Sequence, residues 1–163
     1  MEIKDVMEKL ESGSQFRKWQ KTNAGFFLAH AFVMLDETNK DVWQIGFFNP
    51  AKNTMTTFFI ENDKVKIIPD QEILKSDIGI DQLKYEEITL SVNAAINLAT
   101  ALLRTEYANP KIIKLFFIIQ QLHSTPVYNI TFFTQAFKTI NVKINAVDGT
   151  ILHHSQSSVA DFS

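Results

Sequence analysis

The chain has 163 residues, the length of one ordinary domain or of two very small ones that must share a core. Its 16 basic and 18 acidic residues leave a net charge of −2. This balance argues against the strongly basic surface that binds nucleic acid or anionic lipid. The absence of cysteine excludes thiol catalysis, disulfides and thiolate metal sites. Phe is abundant, with 14 residues against 5 Gly, and this excess favours apolar binding over chemistry.

The N-terminus is charged, and no apolar run reaches the roughly 20 residues that a membrane-spanning helix needs. The longest run, over residues 112–119, is interrupted by Lys114. We therefore expect a soluble chain with no membrane span. The expected location is the cytoplasm, or outside it if a leader has been removed.

Two segments have the hydrophobic period of amphipathic helices. The first is predicted over residues 3–19, although Ser12-Gly13-Ser14 weakens its middle. The second is predicted over residues 90–107, between an N-cap at Thr89 and the stop signal Asn109-Pro110.

Apolar runs bounded by turn residues predict three main strands after each helix. These strands cover residues 25–35, 42–48, 54–60, 111–122, 127–133 and 140–146. Short further strands are expected at 65–68 and 150–153, the latter after the tight turn Asp148-Gly149.

An internal repeat organises these elements. The segment 42–48 (VWQIGFF) matches 127–133 (VYNITFF) at an offset of 85 positions, and the helix-then-strands order recurs with it. The predicted fold class is α+β, with two tandem α-β-β-β(-β) units that share an antiparallel sheet, both helices packed on one face. The predicted boundaries are 1–68 for the first unit, 69–87 for a linker or extra strand, 88–154 for the second unit and 155–163 for a polar tail.

The first strand of each half is apolar on both sides, whereas a sheet with one covered face shows clean alternation. The uncovered face therefore carries an apolar centre, which monomers rarely leave exposed. The candidate partner-binding residues are Val33, Phe48, Phe116, Ile118 and Phe133. The alternatives are closure of one half over the other, a protein partner, a homodimer or a small apolar ligand.

The second half combines three features: an Ala-rich helix from Ala94 to Ala101, the central strand 127–132, and the closing segment 141–152 with its Asp148-Gly149 turn. In these features it resembles the PepSY domain family. The first half is similar to a diverged copy that lacks this turn. The resemblance implies that the two units have a PepSY/cystatin-like fold and a tendency to bind or restrain other proteins. It carries over no catalytic residue.

No catalytic, cofactor-binding or metal-binding residues are assigned, because no motif with the required spacing occurs. His153 and His154 are adjacent on a predicted strand and point to opposite faces, so they cannot hold one metal together. We thus expect a non-catalytic interaction module rather than an enzyme, with no cofactor. The alternative is an α+β cone that binds a small apolar ligand or acts as an isomerase, with a pocket around His30 and His30 or Asp36 as its acid or base.

Overall fold

The computed structural model describes residues 1–36, 38, 41–74 and 79–159. Three α-helices, a short 3-10 turn at Tyr85–Glu87 and eight β-strands lie within these ranges. The helices are α1 (Ile3–Ser12), α2 (Ser14–Thr22) and α3 (Val92–Glu106). The strands are β1 (Phe27–Leu35), β2 (Val42–Asn49), β3 (Thr54–Glu61), β4 (Lys64–Glu72), β5 (Ile112–Leu122), β6 (Thr125–Thr134), β7 (Lys138–Asn145) and β8 (Ile151–Ser158).

All eight strands form one antiparallel sheet in the order β4-β3-β2-β1-β5-β6-β7-β8. The predicted antiparallel sheet is confirmed. The predicted fold class of two tandem units is wrong, because strands make up 47% of the described chain and belong to a single continuous sheet. At its centre β1 pairs with β5 from His30–Gln120 to Leu35–Leu115. Both strands are apolar on two sides, so they suit this central position, and their ladder leaves no boundary between units.

One face of the sheet is covered by the helices. A single buried cluster joins α1, α2 and α3 to alternate residues of the strands, among them Ile45, Phe117 and Ile144. Ala95 and Ala99 of α3 are completely buried, and their small side chains allow the helix backbone to lie close to the sheet. The helices therefore cover one face, and no helix of the described ranges covers the other.

The first predicted helix is two helices in the structure. Gly13 adopts an extended conformation (φ −74°, ψ 141°) that ends α1 and precedes α2. The N-cap of α3 is Ser91 rather than Thr89, because the Ser91 hydroxyl accepts a hydrogen bond from the Ala94 N–H at 3.1 Å. Thr89 instead donates its hydroxyl proton to the Val147 carbonyl.

Two predicted boundaries are wrong. The boundary at residue 68 falls inside β4, and the segment 155–158 of the predicted polar tail belongs to β8, where Ser155 pairs with Asn141. β8 lies at the edge of the sheet with solvent around it, so it lacks the apolar alternation that identifies an interior strand. Residues 160–163 lie outside the described chain.

Candidate functional site

The face of the sheet opposite the helices, called the open face below, has an apolar centre. Phe32 pairs with Ile118, and Met34 pairs with Phe116, across the β1–β5 junction. The Phe116 ring centroid lies 5.6 Å from that of Phe32 and 5.9 Å from that of Phe133. All five side chains are partly exposed. We call these five residues the central apolar patch.

A second aromatic contact lies further along the same face. Phe48 pairs with Phe27 on β1 and with Met55 on β3, and the rings of Phe27 and Phe48 meet edge to face at 5.7 Å. Phe48 is only 8% exposed, so its neighbours already cover most of it. Of the predicted partner-binding residues, Phe116, Ile118 and Phe133 thus form one patch, and Phe48 lies outside it.

Val33 is on the helix-covered face, and its assignment to the open face is wrong. It is 2% exposed, belongs to the core cluster, and pairs with Trp43 and Phe117. A register shift between Leu28 and His30 interrupts the alternation that the prediction carried through β1. A shift of one residue exchanges the two faces of a strand.

A similar shift affects β5. The register changes between Ile112 and Lys114, so Ile112 packs against the core and Ile113 is 61% exposed. Strict alternation along this strand predicts the reverse, with Ile113 on the helix-covered face together with Leu115, Phe117 and Ile119. From Leu115 onward the predicted alternation of β5 is correct, since Phe117 and Ile119 are buried in the core.

A groove of about 500 Å³ extends from the central apolar patch to the edge of the sheet. Its lining residues form two rows across β5 to β8. They are Phe116, Thr131, Asn141 and Ser155 in one row, Phe133, Thr139 and Ser157 in the other, and Val159 after β8. None of these residues is charged, and the rows change from aromatic rings at β5 and β6 to hydroxyl groups at β8.

Hydrogen bonds fix the polar middle of the groove. The Asn141 side-chain amide donates to Thr131 Oγ1 at 3.0 Å and to Asn129 Oδ1 at 2.5 Å. At the aromatic end, Lys114 Nζ lies 4.9 Å from the centroid of the Phe133 ring, within the range of a cation–π contact. The groove therefore has a neutral lining, with the Lys114 ammonium beside its aromatic end.

His30 lies on the open face against Gly46. A Cβ atom at Gly46 would approach the His30 ring to 2.4 Å, so this close contact requires glycine. Burial lowers the pKa of His30, which favours the neutral ring. His30 lines neither the groove nor a smaller cavity of about 120 Å³ beside the N-terminus of α3.

Asp36, the other predicted acid or base, is engaged in its own turn. Its Oδ1 accepts hydrogen bonds from the Thr38 N–H at 2.8 Å and the Thr38 hydroxyl at 2.9 Å. This is the local bonding that aspartate makes in turns. Within the ranges described, no group of three or more His, Asp or Glu side chains is placed to hold a metal ion.

Sequence reasoning missed two residues of the central apolar patch, Phe32 and Met34. Both lie on the same side of β1 as His30, because side chains alternate along a strand. The polar side chain of His30 was a signal that this side of the strand faces away from the core. The polar residues of the groove had no such signal. They come from three strands, and only the pairing of the strands brings them together.

Comparison with known proteins adds information about the fold. No protein-family model and no curated protein matches the chain. A crystal structure described as "a putative lipoprotein" from Clostridium difficile 630 is similar, with a TM-score of 0.56 and 12% sequence identity. The match covers 88% of this chain and 90% of that one. At this identity the likeness shows the fold alone.

The resemblance of residues 89–153 to PepSY domains stays a prediction. None of the helices in the described ranges is both long enough and apolar enough to cross a membrane.

Proposed function

We propose that this chain is a non-catalytic binding module that engages a partner protein through its open face. The central apolar patch is the observation that carries the proposal. The aromatic rings of Phe32, Phe116 and Phe133 form a row across the face, and the centroids of neighbouring rings are less than 6 Å apart. All three rings are partly exposed. A contiguous apolar patch on a protein surface is typical of an interaction site.

The surroundings of the patch support a protein partner. Apolar side chains fill its centre, while polar groups such as Gln44, Gln120 and Asn129 continue its strand ladders on both sides. An apolar centre with a polar rim is the usual anatomy of a protein–protein interface. Phe116 is the central ring, in contact with both other rings, and is the residue we expect to contribute most to binding.

Site-specific photo-crosslinking tests this proposal. A benzophenone amino acid replaces Ile118 in the patch, or Val147 in the β7–β8 turn as the control. Val147 is 43% exposed, and its carbonyl accepts a hydrogen bond from Thr89, which precedes α3 on the helix-covered side. We expect a discrete crosslinked protein from position 118 and not from position 147, and Phe133→Asp should abolish it. Identical crosslinking patterns from both positions would contradict the proposal.

The groove favours a second candidate function, the binding of a small apolar ligand. Its volume of about 500 Å³ lies within the roughly 300–1,000 Å³ of small-molecule sites. The aromatic end would take the apolar part of the ligand, and Asn141 and Ser155 would bind a polar group at the other end. This site is distinct from the pocket expected around His30.

A groove-filling variant separates the two functions. Ser157→Trp places an indole in the groove, and Gln156→Trp is the control on the opposite side of the same strand. If the groove binds small molecules, fluorescence of the hydrophobic dye anilinonaphthalene sulfonate should fall in Ser157→Trp and persist in Gln156→Trp. Equal dye fluorescence in both variants would contradict the small-ligand function. The crosslinking experiment would then test the one remaining proposal, that of a protein partner.

A further inference from the structure

The two edges of the sheet differ in chemistry. The edge strand β4 carries Lys64, Lys66, Pro69, Asp70 and Glu72. Its register with β3 is interrupted, and Asp70 has a left-handed conformation with φ of 37°. Charged side chains, proline and local irregularity are the features by which proteins prevent an edge strand from pairing with another chain. The β4 edge therefore has several features that oppose pairing.

The opposite edge strand, β8, has none of these features over most of its length. Its sequence ILHHSQSS contains no Lys, Arg, Asp, Glu or Pro. Residues 152–156 are all exposed, and residues 153–158 keep an uninterrupted register with β7. Within the described ranges the only strand beside β8 is β7. A regular, uncharged edge is the kind of strand that pairs with a further strand.

We propose that β8 is a dimerisation edge, at which it pairs antiparallel with β8 of a second copy of this chain. A two-fold axis perpendicular to the sheet relates two such strands, so each supplies the same surface to the other. Since β8 carries no fixed charge, no like charges meet across the junction in any register. Nothing on this strand selects a charged peptide instead.

The proposed pairing has a consequence for the groove. A two-fold axis perpendicular to the sheet keeps both open faces on the same side, and two sheets of eight strands join into one. Ser155 and Ser157 line the groove from β8, so the grooves of the two copies would lie next to each other across the junction. The proposal does not depend on the function of the central apolar patch.

Sedimentation velocity over a range of concentrations tests the edge. Leu152→Lys combined with Gln156→Lys adds two positive charges to exposed positions of β8. The matched control, Gln71→Lys combined with Glu72→Gln, adds the same charge to exposed positions of β4. We expect the wild type and the β4 variant to form a dimer of twice 18.6 kDa, and the β8 variant to stay at 18.6 kDa. Circular dichroism confirms that each variant is folded.

Three other results would overturn the proposal. The first is a wild-type monomer at every concentration up to about 1 mM, the weak end of specific association. The second is a dimer that the β4 variant dissociates as fully as the β8 variant, which would indicate a general charge effect. The third is a dimer that resists the β8 variant and is dissociated by Phe133→Asp, which would place the interface on the open face and support self-association through the patch.

Discussion

At the scale of single residues, the His30 ring packs directly against Gly46 on the open face. The imidazole occupies the space that any other side chain at Gly46 would need. Burial of this ring lowers its pKa because the charged form loses hydration. The contact gives His30 a structural role in packing the sheet.

Burial of the His30 ring should make the stability of the protein depend on pH. Because the pKa of His30 is lower in the folded chain, the unfolded chain binds more protons as the pH falls below about 6.5, the ordinary value for histidine. The free energy of unfolding should therefore decrease from pH 7.5 to pH 5.5. Urea titrations at both values should show a smaller decrease for His30→Gln. The same decrease in both proteins would show that His30 is not its source.

At the scale of elements, Glu2 joins two helices. It forms a capping box with Asp5 at the start of α1, and its two carboxylate oxygens accept hydrogen bonds from the Val92 N–H at the start of α3. A carboxylate at a helix N-terminus is stabilised by the helix dipole as well as by these hydrogen bonds. One side chain therefore ties the N-termini of α1 and α3 together across 90 positions of sequence.

Removal of this carboxylate should destabilise the protein. We expect Glu2→Ala to lower the free energy of unfolding by about 1–2 kcal/mol, the usual cost of a lost N-cap, and Glu2→Gln to lower it less because the amide oxygen still accepts. Urea denaturation measures both. Glu8→Ala, at an exposed position of the same helix, is the control. An equal effect at position 8 would contradict the bridging role of Glu2.

The elements themselves were largely predictable from the sequence. The apolar periods located both helical regions and all six main strands, because side-chain burial requires those periods. The register shifts beside Leu28 and Ile112 were not predictable, since a bulge is determined by the fit between neighbouring strands. Those shifts are the reason that Val33 and Ile113 lie on the faces opposite to the predicted ones.

At the scale of the whole molecule, the two faces of the sheet should respond differently to the same substitution. Ile144→Asp places an unpaired carboxylate in the core, where Ile144 has no exposed surface, and should cost about 4 kcal/mol or prevent folding. Phe133→Asp, on the partly exposed open face beside Lys114, should cost about 1 kcal/mol. Thermal unfolding measures both, and equal losses of melting temperature would contradict the assignment of the faces.

The apolar groups of the open face were predictable from the sequence, whereas its groove depends on the pairing of the strands. The apolar excess of β5 and the phenylalanine pairs at 47–48 and 132–133 indicated that apolar groups lie on both faces. The groove needs four strands in a fixed order, since its rows run from Phe116 on β5 to Ser155 on β8. Ser155 gives no signal on its own, because a serine near a chain end is equally typical of a polar tail.

The sequence by itself determined the local elements, the antiparallel character of the sheet and the presence of an apolar centre on both sides of β5. These properties depend on the period of apolar residues along the chain, which burial enforces locally. Only the tertiary structure decided that the strands form one sheet, which face Val33 occupies, and which strand lies at the unprotected edge. Those features depend on pairing between residues distant in sequence, and no local period encodes such pairing.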